Sequence, residues 1–436
     1  MRLLAGADPS PVGEDTLAHP AAWYALPQPL FLGGNDAALL CGGDEYFAKL
    51  IEAVDNALHE VWLATYIFHD DAASEAVAQA LARAARRQVR VRLVVDGFGS
   101  HRALPQLQRW LAGSGVALVV FRPLDHWWNW LQPGQMRRLH TKLCVVDGTV
   151  GFVGGINIID DRNDLNHGFS EAPRLDYAVA LRGPVVSPIE QTVRAMWTRA
   201  AFGQDWRAEV IAMVRSAEPM ARARRLLGRL RIMPPVKVDL EDVERPVRAA
   251  FLVRDNLRQR RSIERAYIEA IRNAQRRVDL VCPYFYPGRA FRRALIKAAR
   301  RGVRVRLLLQ GKVDYRFAGL AARVLYHELL AEAVHIHEYL PAFLHAKAAV
   351  VDDNWATLGS SNIDPLSLLV NLEANVVIDD EPFAAELARA FELALTVSSQ
   401  ITVAPFQKGA LAVLGRGFVA WAAHWYLRMA GLSGRY

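Results

Sequence analysis

The sequence predicts an α/β protein in which one domain occurs twice in tandem, and three observations carry that reading. A segment of thirteen residues recurs with nine positions identical, ARRQVRVRLVVDG (Ala85 to Gly97) against ARRGVRVRLLLQG (Ala299 to Gly311). Upstream of it, IEAVDNALHEVWLATYIF, starting at Ile51, is echoed by IEAIRNAQRRVDLVCPYF, starting at Ile268. Val/Leu-rich runs alternate with amphipathic stretches in both copies, the pattern of a sheet covered by helices on both faces. A period near 210 residues marks a duplicated domain, because solenoid units run about 20–50 residues.

Each copy reads the same way along the chain. An amphipathic helix (Asp44 to Glu60; Ile263 to Arg276) leads into a strand (Val61 to Phe68; Val278 to Phe285). A second helix ends in the Arg-rich turn before a further strand (Val89 to Val95; Val303 to Leu309), and a third helix and a short strand follow (Val116 to Phe121; Val334 to Tyr339). Domains are therefore expected at 44–200 and 256–400, flanked by an N-terminal segment (1–43), a basic Pro-containing linker or insertion (201–255) and a C-terminal segment (401–436).

Composition narrows the function. The chain of 436 residues has 52% apolar and 22% charged residues, an ordinary globular balance with room for sizeable cores. Its net charge of +8 points to an anionic partner, whether lipid, nucleic acid or phosphorylated substrate. Cys41, Cys144 and Cys282 are odd in number and form no C-x-x-C pair. Cys144 and Cys282 sit in strand-like runs and are expected as buried free thiols. The first residues lack the apolar stretch of a secretory signal, and no uninterrupted run of 18 apolar residues predicts a spanning helix.

The most informative feature lies beyond the third strand of each copy. LHTKLCVVDGTVGFVGGIN and LHAKAAVVDDNWATLGSSN both fit H-x-K-x4-D-x6-G-(G/S)-x-N. The residues are His140, Lys142, Asp147, Gly154, Gly155 and Asn157, then His345, Lys347, Asp352, Gly359, Ser360 and Asn362. On a strand, residues i and i+2 share a face, so each His and Lys project together. Two copies would gather two imidazoles, two ammoniums and two carboxamides around one phosphorus: cations and amides for its oxygens, one His to attack, the other to move the proton. Only seven of the 53 basic residues are lysine, so lysine at both motif positions is a choice of a compact point charge over the default arginine. Asp147 and Asp352, though members of the motif, fall on the opposite face from His and Lys and are expected to anchor the adjacent turn. Asp176 (LDYAVAL) and Glu373 (NLEANVVI) open the next strand-like run at equivalent places. Each is a candidate acceptor for a histidine, with the shorter Asp176 having to reach His140; the alternative is a plain exposed carboxylate. Ser361 offers a further donor or a turn residue. His335 and His337 lack a Lys partner and are expected to face solvent.

These paired motifs resemble the signature of the phospholipase D superfamily. The wider text, including FLVRDN, PYFYPG and HAKAAVVDDNWATLGSSNIDPLSLLVNLEANVVI, is similar to bacterial cardiolipin synthases of the B type from about Asp44 to Asp380. The resemblance implies two phospholipase D-type α/β sandwich domains related by a pseudo-two-fold axis, with one active site at their interface. It implies phosphatidyl transfer from one phosphatidylglycerol to the hydroxyl of another phospholipid, with glycerol released and a phosphohistidine intermediate. His140 would be the nucleophile and His345 the acid and then the base, although the sequence alone treats the two alike. Lys142, Lys347, Asn157 and Asn362 would bind the phosphate oxygens. No cofactor or metal is implied, and the setting would be peripheral, on the cytoplasmic face of the membrane.

Two stretches favour a lipid over a soluble substrate. Trp127, Trp128 and Trp130, followed by Arg137 and Arg138, suit a membrane interface, the alternative being a buried aromatic cluster. Leu411, Leu414, Phe418, Trp421, Trp425 and Met429 share one helical face, suiting a helix in the interface plane, the alternative being a core-docking helix. Asp96, Ser100 and Asp314 are candidate contacts to the acceptor. The rival readings are a phosphodiesterase or nuclease, since basic charge also suits nucleic acid, and a membrane-binding scaffold with an inactive site; the lipid reading expects no nucleic acid partner.

Overall fold

The computed structural model describes residues 29–123, 137–164, 168–214, 247–254, 259, 261–312, 325–364, 367–368 and 371–402, the side chains of 202–214 excepted. The Trp127–Trp130 cluster, Asp314 and the helical face from Leu411 to Met429 lie outside these residues. In the first half the order is β1 (Leu32–Cys41), α1 (Gly42–Asp55), β2 (Glu60–Thr65), α2 (Ala72–Arg86), β3 (Arg90–Asp96), α3 (Leu104–Leu111), β4 (Ala117–Phe121), β5 (Leu143–Val146), β6 (Val150–Gly154), β7 (Asn163–Asp164), β8 (Gly168–Phe169), β9 (Tyr177–Arg182) and α4 (Val186–Val214). The second half has β10 (Val247–Arg254), α5 (Ser262–Asn273), β11 (Arg277–Cys282), α6 (Arg289–Arg300), β12 (Arg304–Gln310), β13 (His335–Tyr339), β14 (Ala348–Val351), β15 (Trp355–Gly359), β16 (Glu373–Asp379), α7 (Glu381–Thr396) and β17 (Ser398–Ile401).

The strand order β17-β13-β12-β11-β14-β15-β16-β10-β1-β9-β6-β5-β2-β3-β4 reads almost the same from either end. In each half three strands are parallel (β2, β3, β4; β11, β12, β13) and the strands from there to the centre run antiparallel, with β17 antiparallel at the outer edge and β7 and β8 forming a separate pair. The halves meet along β1 and β10, antiparallel with Leu32 opposite Ala249. Strands therefore occupy stretches that the sequence reading left as an N-terminal segment and a linker. Gly33, Gly34, Asn35 and Asp36 disguise β1 as a turn; what makes it a strand is distant, with Asn35 Nδ2 donating to the Val247 carbonyl (3.1 Å) and Asn35 Oδ1 accepting from Val185 N (2.8 Å).

Three apolar layers follow from this topology. Val61, Leu63, Val91 and Leu93 pack with Leu50, Val77 and Leu81 of the helices outside the first half. Leu280, Leu307, Ile271 and Leu295 do the same in the second. Between the halves one shared core contains Val145, Val153 and Val179 with Val350, Leu358 and Val376, along with residues of α4 and α7. Burial of each such side chain contributes about 1.5–3 kcal/mol, and the shared core holds the halves together.

The repeated Ala-Arg-Arg turn has a shared purpose. Arg87 donates to the carbonyls of Val54 (3.2 Å) and Ala57 (3.4 Å) at the end of α1, and Arg301 donates to those of Ile271 (3.2 Å) and Ala274 (3.0 Å) at the end of α5. Each arginine thus satisfies carbonyls that a helix end leaves open.

The motif aspartates act at the far end of the same strands. Asp147 (φ 52°) accepts from the amides of Leu58, His59 and Glu60, and Asp352 (φ 52°) from those of Gln275, Arg276 and Arg277. Asp147→Ala is expected to cost about 1–3 kcal/mol by stranding three amides and strain at positive φ, while Asp147→Asn, which keeps an acceptor and tolerates that conformation, costs less. Chemical denaturation checks this; equal midpoints for wild type and the alanine variant would refute the anchoring role.

Candidate active site

Short backbone bridges between the halves build the site. Leu139 bridges Leu372 and Leu175 bridges Leu344, both in parallel. His140 N donates to the Leu372 carbonyl (3.0 Å) and Leu372 N to the Arg138 carbonyl (2.9 Å). His345 N donates to the Leu175 carbonyl (2.8 Å) and Leu175 N to the Phe343 carbonyl (3.0 Å). Each histidine is thereby fixed beside the residue that precedes the other half's carboxylate.

The side chains follow. His140 Nδ1 lies 2.9 Å from Glu373 Oε2, and His345 Nδ1 lies 2.7 Å from Asp176 Oδ2. Asp176 therefore serves His345 rather than His140: the pairing expected within each copy is crossed. The physical reason lies in the two bridges, which put Leu175 alongside Leu344 and Leu372 alongside Leu139. Because an ionised carboxylate only accepts, Nδ1 of each ring carries the proton and Nε2 carries the lone pair.

The carboxylates are not equivalent. Glu373 Oε2 accepts from Ser360 Oγ at 2.5 Å, and Ser360 Oγ accepts from Ala374 N at 3.0 Å. In the first half Gly155 replaces that serine, and a Cβ there would run into Asp176 Oδ1. Gly with Asp and Ser with Glu are thus two ways of filling one volume. In the sequence motif Ser360 is only a G/S position; its co-occurrence with the longer acid is the signal of its role. Ser361 Oγ donates to the Asn362 carbonyl (3.2 Å), a local turn contact.

Lys142 donates to the His140 carbonyl at 2.6 Å and Lys347 to the His345 carbonyl. Asn157 Oδ1 accepts from Ile67 N at 3.2 Å. Asn362 Oδ1 is buried with no hydrogen-bond partner. Lysines, asparagines and carboxylates are buried, while the imidazoles keep 12% and 21% of their surface open, so the rings are what a ligand meets first. Asp147 and Asp352, at the opposite strand ends, are not part of this group. Asp96 and Ser100 are buried and hold backbone: Asp96 accepts from Leu139 N (2.8 Å) and Phe98 N (2.8 Å), and Ser100 Oγ accepts from Phe68 N (2.9 Å). Arg138 turns inward over the Phe98 ring (5.1 Å) and towards Asp96, whereas Arg137 is exposed. His335 is exposed and His337 half-buried; Cys144 and Cys282 are buried free thiols and Cys41 is exposed.

Burial sets the protonation states. It pushes Lys142 down to about 7 and Lys347 down to about 8. Burial, reinforced by the ammoniums, lowers both imidazoles, His345 to about 3. Burial alone would raise Glu373 and Asp176, but the facing histidines and lysines hold both below the usual carboxylate range. When both lysines are protonated, two carboxylates balance two ammoniums around neutral imidazoles, and an entering anion adds the one uncompensated charge. Among the described residues no group of three or more His, Cys, Asp or Glu is placed to hold a metal ion, and no helix is long and apolar enough to cross a membrane.

Comparisons with known proteins bear on family and fold. The family described as "Cardiolipin synthase, PLD-like domain" matches residues 50–169 and 267–394. The chain is 34% identical over 353 residues to cardiolipin synthase B of Shigella flexneri, covering 80% of this chain and 78% of that one. The match to cardiolipin synthase B of Escherichia coli strain K12 is 34% over 355 residues, with the same shares. In fold it is similar to the phosphatidylserine synthase of Haemophilus influenzae Rd KW20, with a TM-score of 0.63 at 14% identity, covering 94% of this chain and 99% of that one.

The crossed pairs give a direct check. In protein with 15N-labelled histidine, Glu373→Gln should disturb the ring nitrogens of His140, in the other half, and leave the tautomer of His345 intact; Asp176→Asn should do the converse. Responses confined to the same half would refute the crossing.

Proposed function

The chain belongs to the PLD-like cardiolipin synthase family, and from that premise we propose that it is a phosphatidyltransferase making cardiolipin from phosphatidylglycerol at a membrane surface. The observation that carries the reading is the pair of crossed His–carboxylate contacts enclosing two buried lysines.

His140 Nε2 attacks the phosphorus of one phosphatidylglycerol, and Lys142, Lys347, Asn157 and Asn362 bind the non-bridging oxygens. His345 Nε2, loaded with a proton taken up from solvent as the substrate binds, gives that proton to glycerol as the P–O bond to glycerol breaks. His345 is lowered first by burial and then by the ammoniums; the anionic phosphate offsets the ammoniums and adds a negative charge beside the ring, which raises its proton affinity once substrate is bound. A hydroxyl of the second phospholipid then gives its proton to His345 and attacks the phosphohistidine. The new phosphodiester forms and His140 is released. Glu373 holds Nδ1–H of the nucleophile and stabilises the charge that it develops. Water in place of the second lipid would give hydrolysis, so synthesis depends on keeping water from the phosphohistidine. Phosphatidylglycerol as donor, peripheral attachment to the cytoplasmic face and the absence of a nucleic acid partner belong to the same proposal, as do domain limits at 44–200 and 256–400.

Lipid mass spectrometry of a host lacking its own cardiolipin synthases should show cardiolipin only when this protein is expressed. His140→Ala and His345→Ala should each lower the rate at least about a thousandfold. Cardiolipin levels untouched by either variant would favour a scaffold, and turnover of single-stranded DNA but not of phosphatidylglycerol vesicles would favour a nuclease.

A further inference from the structure

One aromatic residue breaks the symmetry of the site. Tyr66 follows β2, and its ring centroid lies 4.9 Å from that of His140 at an interplanar angle of 60°. Lys142 Nζ lies 5.3 Å from the centroid of the same ring. The repeats fix its counterpart: β2 ends at Thr65 and β11 at Cys282, and Phe68 bridges Ile158 as Phe285 bridges Ile363. Tyr66 therefore corresponds to Pro283, which has no aromatic face to offer.

The segment that carries Tyr66 is held rigidly. Its carbonyl accepts from Ser100 Oγ (3.1 Å), Ile67 N donates to Asn157 Oδ1 (3.2 Å) and Phe68 N donates to Ser100 Oγ (2.9 Å). Gly99 packs so close that a Cβ there would run into the Tyr66 carbonyl. The backbone that carries the ring is thus placed before any ligand arrives.

We propose that Tyr66 is a positioning residue of the first half, holding the Lys142 ammonium on its ring and the His140 imidazole against its side, where the second half has Pro283 at the equivalent place. The ring quadrupole favours a cation over its face, most of all where water is excluded. The other groups around Lys142 are Glu373, Asp176 and Asp96, which favour its charge, and Lys347, which opposes it. His140 offers it a carbonyl and a neutral ring. Lys142 is poised to lose its proton near neutrality, so a modest loss of stabilisation moves it out of its charged state. The ammonium is needed to bind a phosphate oxygen; without the ring, the proton leaves at lower pH and the alkaline fall in activity begins earlier.

This inference rests on the phosphatidyltransferase reading for its kinetic readout, and a spectroscopic one keeps the two separable. The pH dependence of kcat/KM on phosphatidylglycerol vesicles is compared for wild type, Tyr66→Phe and Tyr66→Leu. Leucine keeps the apolar cover but removes the ring. The alkaline limb should move down by about half a pH unit in Tyr66→Leu and stay in place in Tyr66→Phe. In parallel, 13C NMR of the lysine Cε signals, with Lys142 assigned through Lys142→Arg, should show the same downward shift in its titration. A limb and a Lys142 titration unchanged in folded Tyr66→Leu would overturn the proposal, as would Tyr66→Phe behaving like Tyr66→Leu. A wild type inactive on lipid would sink the functional reading alone, with the NMR titration still deciding the role of Tyr66.

Discussion

Two parallel backbone bridges, Leu139 to Leu372 and Leu175 to Leu344, are the constraint on which the site depends. Each is a short contact between irregular segments, yet both join residues distant in the chain and both immediately precede a charged or titratable group. The strands behind them are locked by a shared apolar core, so the bridges cannot slip by a residue without turning buried side chains outward. Placement of the imidazoles is therefore inherited from sheet register rather than from loop conformation.

Electrostatics then follow from depth. Two buried ammoniums would be intolerable alone, and two buried carboxylates equally so. Set together they balance, and the neutral rings between them keep a lone pair at Nε2. The fold thus assembles charge in a dry place before the ligand arrives, which is the form of preorganisation that lowers barriers in group transfer. The hydroxyl of Ser360 adds to this on one side only.

Much of this was legible in the residues. The repeat showed the duplication, period-two spacing put His and Lys on one face, and five residues of separation sent Asp147 and Asp352 elsewhere. The crossing was not legible, because a repeat shows which residues are equivalent and not which ones face each other. Nor was β1, whose Gly-Gly-Asn-Asp start has the local character of a turn and becomes a strand only through contacts with β9 and β10. Tyr66 stood in a recognised segment but carried no signal by itself; its meaning comes from Pro283 at the equivalent place and from the ring's distance to His140.

The crossed acids have a consequence for how such a molecule can change. A protein carrying only one copy would need a second molecule before either histidine had its acid, and every substitution would then appear on both sides at once. Joining the copies in one polypeptide lifts that restriction. One side is free to keep aspartate and glycine while the other takes glutamate and serine, and a tyrosine arises opposite a proline. Division of labour between two chemically identical bases is in this sense a privilege of covalent linkage.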